Sequence, residues 1–174
     1  MAVKYKLQDV SKLNNRKIFV DANVLIYLFW PTGTVHWENN YASAFARLLK
    51  QKNQLFVDFC VLSEVINRMI RIEPEIQQKK TKYKNFRDSQ EGKNVLMDIY
   101  LIVKEHILKK INITGKVYER EDIEAFLIVD ELDFIDKSTV SICNKNNFVL
   151  FTDYKDFKNS DIDILTGNPF ILKS

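Results

Sequence analysis

The stretch Ile18-Phe19-Val20-Asp21-Ala22-Asn23-Val24-Leu25 decides the fold. Its first three residues are apolar without alternation, as in a strand buried on both faces of a parallel sheet, and an acid follows at once. Two further runs share this pattern: Leu55-Phe56-Val57 followed by Asp58, and Phe148-Val149-Leu150-Phe151 followed by Thr152-Asp153. Between them the spacing of apolar residues predicts helices near 22–30, 35–52, 61–72, 75–87, 89–110, 121–132 and 135–146, with Pro31 and Pro74 as breakers. The order β-α-α-β-α…α-β predicts a layered α/β fold, in which ligands sit beyond the carboxyl ends of the strands. The length of 174 residues, with 46% hydrophobic residues, predicts a single domain over 1–174.

Those strand ends carry the chemistry. Any one of Asp21, Asp58 and Asp153 could simply cap the helix that follows it. Three acids on one rim repel one another, and must share protons or bind a cation. Asp136 shares a stripe with Val140 and Cys143, so it is expected to face inward near the start of its helix, where the dipole favours an anion. Glu64 lies off the apolar stripe of its own helix, which is Leu62, Val65, Ile66, Met69 and Ile70. On physical grounds alone it pairs with Arg68 at i+4 on the surface.

Composition excludes several alternatives. The four glycines, Gly33, Gly92, Gly115 and Gly167, are too dispersed for a dinucleotide-binding or Walker A loop. Two histidines, His36 and His106, cannot supply a zinc helix, and Cys60 and Cys143 have no partners at zinc-finger spacing. The cysteines read as free thiols of a reducing compartment. No apolar run is long enough for a membrane span and the N-terminus lacks a signal-peptide core, so the sequence predicts a cytoplasmic protein without membrane contact.

The formal charge of +3 is too small to identify a partner, but its distribution is uneven. From Arg68 to Lys93 there are eight basic residues against four acidic ones, and from Glu121 to Asp136 seven carboxylates and no base. Solvated faces are the commoner reading of both; the pairing keeps a sharper one open, an acidic cluster for metal and a separate basic surface for phosphates, the two parts of a metal-dependent nuclease.

Four motifs in order now carry a resemblance. Val20-Asp21-Ala22-Asn23-Val24-Leu25 follows a short strand, Leu62-Ser63-Glu64-Val65 opens a helix, and Asp133-Phe134-Ile135-Asp136 leads into another. Phe148 to Thr152, Asp153 and Asp156-Phe157 close the set. Over about 16–72 and 120–172 the chain resembles the PIN-domain ribonucleases, and within them the VapC-like toxins of type II toxin–antitoxin pairs. The resemblance implies a PIN-like three-layer α/β/α fold with a central, mainly parallel sheet and a helical insertion around 73–120. It also implies acids around one or two Mg²⁺ or Mn²⁺ ions. Asp21, Glu64 and Asp136 match the first three catalytic and metal-binding acids, and Asp153 best matches the fourth. The family's last acid often falls one position later, where this chain has Tyr154, so either Asp153 reaches in from the neighbouring position or Asp156 substitutes. Asn23 and Thr152 are expected to orient the carboxylates or the scissile phosphate.

The implied substrate is RNA. Arg68, Lys79, Lys80, Lys82, Lys84 and Arg87, interleaved with Tyr83 and Phe86, are candidate RNA contacts, as is Lys137, which is otherwise simply exposed. Tyr27, Phe29 and Trp30 are expected in the core or on a dimer surface. The resemblance further implies a homodimer held inactive by an antitoxin peptide. Two other expectations stand beside it: an RNA-processing nuclease without antitoxin, and a catalytically degenerate module that binds RNA or protein.

Overall fold

The structure is a computed structural model that describes residues 2–30, 35–76 and 82–174. It is an α/β fold of three layers around a six-stranded sheet in the order β1-β6-β5-β2-β3-β4, every pair parallel. The strands are β1 (Lys4–Lys6), β2 (Lys17–Val20), β3 (Gln54–Val57), β4 (Asn112–Ile113), β5 (Val149–Phe151) and β6 (Ile164–Thr166). The helices are α1 (Ala22–Phe29), α2 (Val35–Lys50), α3 (Phe59–Ile76), α4 (Tyr83–Asp88), α5 (Gln90–Ile102), α6 (Arg120–Phe126), α7 (Phe134–Asn146) and α8 (Pro169–Leu172).

The apolar runs behave as their patterns require. Ile18, Phe19 and Val20 of β2 are fully buried, as are Val149, Leu150 and Phe151 of β5. β2 is in register with both neighbours, Phe19 lying opposite Phe56 of β3 and Leu150 of β5. From β2 the chain proceeds outward through β3 to β4, then returns to β5 on the other side of β2. The strand order therefore reverses between β2 and β5. Their carboxyl ends, Asp21 and Thr152, border the crevice where open α/β sheets bind ligands.

Several expectations need correction. β1, β4 and β6 carry no long apolar run; each is three residues or fewer, and β1 reads Lys-Tyr-Lys. Pro74 does not end its helix: α3 continues to Ile76, and the proline forgoes only its own hydrogen bond to the carbonyl four residues earlier. Of the helix expected over 75–87, the positions 77–81 lie outside the described residues, as does Pro31. The helix expected over 89–110 is α5 followed by a wider turn, Val103–Ile107, in which Leu108 N donates to Val103 O five residues back. The helix expected over 121–132 stops at Phe126.

The 73–120 segment is thus not purely helical. It ends in β4, which pairs with β3 and extends the sheet, while α5 packs on α3. The α4–α5 corner is set by Ser89, whose Oγ accepts from Gly92 N at 3.1 Å and donates to Phe86 O at 2.6 Å. A Cβ at Gly92 would stand 2.0 Å from that same carbonyl oxygen, so the corner admits only glycine. No described helix is long and apolar enough to cross a membrane.

Candidate active site

Asp21 is the N-cap of α1 and the floor of a cleft of about 670 Å³. Its Oδ1 accepts from Ala22 N at 2.7 Å; its Oδ2 accepts from Asn23 Nδ2 at 2.9 Å and Thr152 Oγ1 at 2.5 Å. Two donors occupy Oδ2 and one occupies Oδ1, which leaves a lone pair of Oδ1 for another ligand. Asn23 and Thr152 thus both donate to the Asp21 carboxylate. Asn23 Oδ1 also accepts from Asp153 N at 3.2 Å, tying α1 to the end of β5.

Glu64 and Asp136 line the same cleft. The ion pair expected between Glu64 and Arg68 is present at 3.2 Å, both side chains nearly half exposed. Asp136 stands at the third position of α7, its N–H donating to Asp133 Oδ1 at 2.8 Å. Asp133 itself faces the cleft.

Electrostatics mark the cleft as short of positive charge. Burial, opposed by the Thr152 and Ala22 hydrogen bonds and reinforced by Glu64, raises the Asp21 carboxyl to about 6. Burial raises Asp136 to about 7, with Asp133, Asp21 and Asp156 adding repulsion. Both groups resist ionisation chiefly because they are buried, and acidic neighbours add to it, which is the setting a bound cation relieves.

The remaining acids lie elsewhere. Asp153 does not line the cleft: its Oδ1 accepts from Tyr41 Oη at 2.7 Å and its Oδ2 from Tyr27 Oη at 3.1 Å. Tyr41 is fully buried on Phe151, and its hydroxyl also accepts from Gly167 N at 2.9 Å. Tyr154 takes the place at the cleft wall, with Asp156 behind it as its hydrogen-bond partner.

Lys137 is neither a phosphate contact nor exposed. Its Nζ, buried, donates to Ile128 O and to Phe126 O at 3.3 Å and pairs with Asp130 at 3.0 Å. An ammonium has three donors, and all are spent on closing the end of α6.

Of the expected RNA contacts, only Arg68 lines the cleft. Lys82 and Lys84 are exposed beside α4, Arg87 pairs with Asp88 at 2.8 Å, and Lys79 and Lys80 lie outside the described residues. Phe59, Cys60, Asn67 and Arg71 line the cleft without having been given a site role from sequence; Asn67 and Arg71 continue the polar stripe of Ser63 along α3. That stripe, opposite Val65 and Met69, was the available signal for these two.

Metal fit follows from the donors. Among the described residues no three His, Cys, Asp or Glu side chains converge as a ready-made metal cage. Asp21 and Asp136 nevertheless offer oxygen donors short of positive charge, and Mg²⁺ typically takes one or two carboxylates, keeps several waters and gains its remaining ligands from substrate phosphate. The oxygen donors of Asp21 and Asp136 therefore suit a hard divalent cation, while Glu64 is paired with Arg68.

No family model and no curated protein matches the sequence. Among solved structures, the chain is similar to PAE2754 from Pyrobaculum aerophilum, with a TM-score of 0.51 and 12% identity, over 91% of this chain and 89% of that one. At that identity the likeness is one of fold.

Proposed function

We propose that the protein is a metal-dependent endoribonuclease of the PIN type, hydrolysing RNA phosphodiester bonds in the cleft beside Asp21. The observation that carries this reading is the meeting of Asp21, Glu64 and Asp136 in one cleft at the reversal of strand order, with Asp21 and Asp136 both held above the ordinary carboxylate range. When bound, a divalent ion supplies an acidified water and charge to offset a developing oxyanion. The protein's own part is to hold that ion with Asp21 and Asp136, to fix the Asp21 carboxylate through Asn23 and Thr152, and to meet substrate phosphate with Arg68 and Arg71 on the α3 wall. The same motifs support a toxin of a toxin–antitoxin pair, a homodimer whose antitoxin peptide occupies this acidic cleft.

A second reading is favoured by the lack of a preformed three-acid cage among the described residues and by Asp153 being turned toward Tyr27 and Tyr41. It is a binding module that takes RNA without cutting it. One experiment separates the two: titration of Mn²⁺ and Mg²⁺ against cleavage of a tRNA and mRNA panel, with wild type, Asp21→Asn and Asp136→Asn. Cleavage that needs metal and vanishes in both variants supports the nuclease. Cleavage that persists in chelator or in the variants sinks it, and salt-sensitive RNA binding with no turnover in any metal establishes the second reading.

A further inference from the structure

Phe59 is 80% exposed although it opens a helix rooted in the core, and Tyr154 is 44% exposed. Large apolar rings left in water are costly singly and informative as a pair. Both line the acidic cleft. Phe59 follows β3 and Tyr154 follows β5, the two strands flanking β2, so the two residues enter the cleft from chain segments on either side of the strand that ends at Asp21. Two strand spacings are about 10 Å. Offset-stacked rings sit with centroids about 4.5–7 Å apart, so a gap of that order takes one flat aromatic group with a ring on each side.

Tyr154 is prearranged for this. Its ring packs edge-on against Phe157 at 6.2 Å, and its N–H donates to Thr152 Oγ1 at 2.9 Å, the same hydroxyl that holds Asp21. Asp58, the residue before Phe59, accepts from Val61 N at 2.8 Å and so fixes the start of α3. Beyond Phe59 the α3 wall of the cleft is Ser63, Glu64, Asn67, Arg68 and Arg71; Glu64 is paired with Arg68, so Arg71, with the Ser63 hydroxyl and the Asn67 amide, gives the wall one cation in excess and polar donors suited to a phosphodiester backbone. The charge of that wall favours a nucleic acid over an apolar peptide as the occupant.

We propose that Phe59 and Tyr154 receive one unpaired RNA base between them, so that stacking on these two rings sets where along a strand the cleft engages. The inference rests on the ribonuclease reading for its substrate. It adds the base-recognition pair. A base still paired in a duplex cannot enter, because its faces are already stacked.

The test uses a single-stranded RNA carrying one 2-aminopurine, whose fluorescence is quenched by stacking, mixed with the full chain in chelator so that no cleavage intervenes. Wild type is expected to quench it and to bind the matching duplex more weakly. Phe59→Ala and Tyr154→Ala should each weaken binding about tenfold and lose the quench, whereas Tyr154→Phe keeps both. Phe59→Leu and Tyr154→Leu keep bulk without a ring, and should behave as the alanine variants do with melting temperatures near wild type. Wild-type affinity and quench in the leucine variants, or no binding by wild type at all, would overturn the pair. Cleavage is read separately on the same RNA with Mn²⁺. Quenching without cleavage in any metal removes the nuclease and leaves the stacking pair; cleavage with ring-independent binding removes the pair and leaves the nuclease, and then assigns the exposed rings to a protein contact.

Discussion

Thr152 Oγ1 donates to Asp21 Oδ2 at 2.5 Å, joining the carboxyl ends of β5 and β2 across the reversal of strand order. Thr152 is fully buried, so its hydroxyl has no water to fall back on. This hydrogen bond is the largest influence opposing the burial that raises Asp21. Thr152→Val keeps the shape and removes the donor. The Asp21 carboxyl should then rise further, the acid limb of the cleavage pH profile should move to higher pH, and the rate at neutral pH should fall about 10- to 100-fold. Thr152→Ser should restore both. A pH profile unchanged in the valine variant would separate Thr152 from Asp21.

Asp136 gives a stability prediction with a defined sign. Its folded-state value, about 7, lies above the 3.8 of an unfolded carboxyl. The folded protein therefore binds the proton more tightly, and stability is lost as pH rises from about 4 through 7. Asp136→Asn removes the charge and keeps an acceptor. In metal-free buffer it should raise the melting temperature by about 3–6 °C at pH 8, corresponding to about 1–2 kcal/mol after discounting for solvent screening of a partly exposed group. The gain should fade toward pH 4. Saturating Mn²⁺ should stabilise wild type at pH 8 by a comparable amount and leave the variant unmoved, which thermal melts at both pH values would check.

Lys137 predicts the opposite separation of stability from function. Lys137→Met keeps the aliphatic stem but abandons the carbonyls of Phe126 and Ile128 and the Asp130 carboxylate. Unpaired buried groups cost about 1–3 kcal/mol, so the melting temperature should drop by several degrees. RNA affinity and its salt dependence should stay at wild-type values, since Nζ never faces the cleft. A salt slope that falls in this variant would return Lys137 to the substrate.

What could be read from sequence follows from how many neighbours a residue needs to declare its role. β2 and β5 are buried on both faces and β3 nearly so, so their apolar runs are continuous and self-evident; β6 is buried too but offers only Ile164-Leu165 before Thr166, and β1 and β4 depend on pairing with partners distant in the chain. Asp21, Asn23 and Thr152 could be placed because each adjoins a strand end. Asp153 has the same local signature, but strand direction alternates side chains between faces, and its carboxylate faces Tyr27 and Tyr41 while Tyr154 reaches the cleft. One position decides between wall and core there, and the sequence around it is equally compatible with both. Lys137 escaped for a related reason: a cation after an acid at a helix start looks like surface until the end of α6 folds over it.

Glu64 and Arg68 provide the final prediction, because their pair serves two masters. With side chains 43% and 48% exposed, the ion pair contributes at most about 1 kcal/mol to stability. Arg68→Gln should accordingly leave the melting temperature almost unchanged. Both side chains line the cleft, so a phosphate bound there would compete for the Arg68 guanidinium and free Glu64 for a cation. The variant should bind single-stranded RNA more weakly with a salt slope reduced by about 0.7, one phosphate contact. It should also bind Mn²⁺ more tightly in the absence of RNA, since Glu64 is then unpaired. Isothermal titration with Mn²⁺ alone measures the second effect directly; equal affinity in wild type and variant would show that Glu64 takes no part in holding the metal.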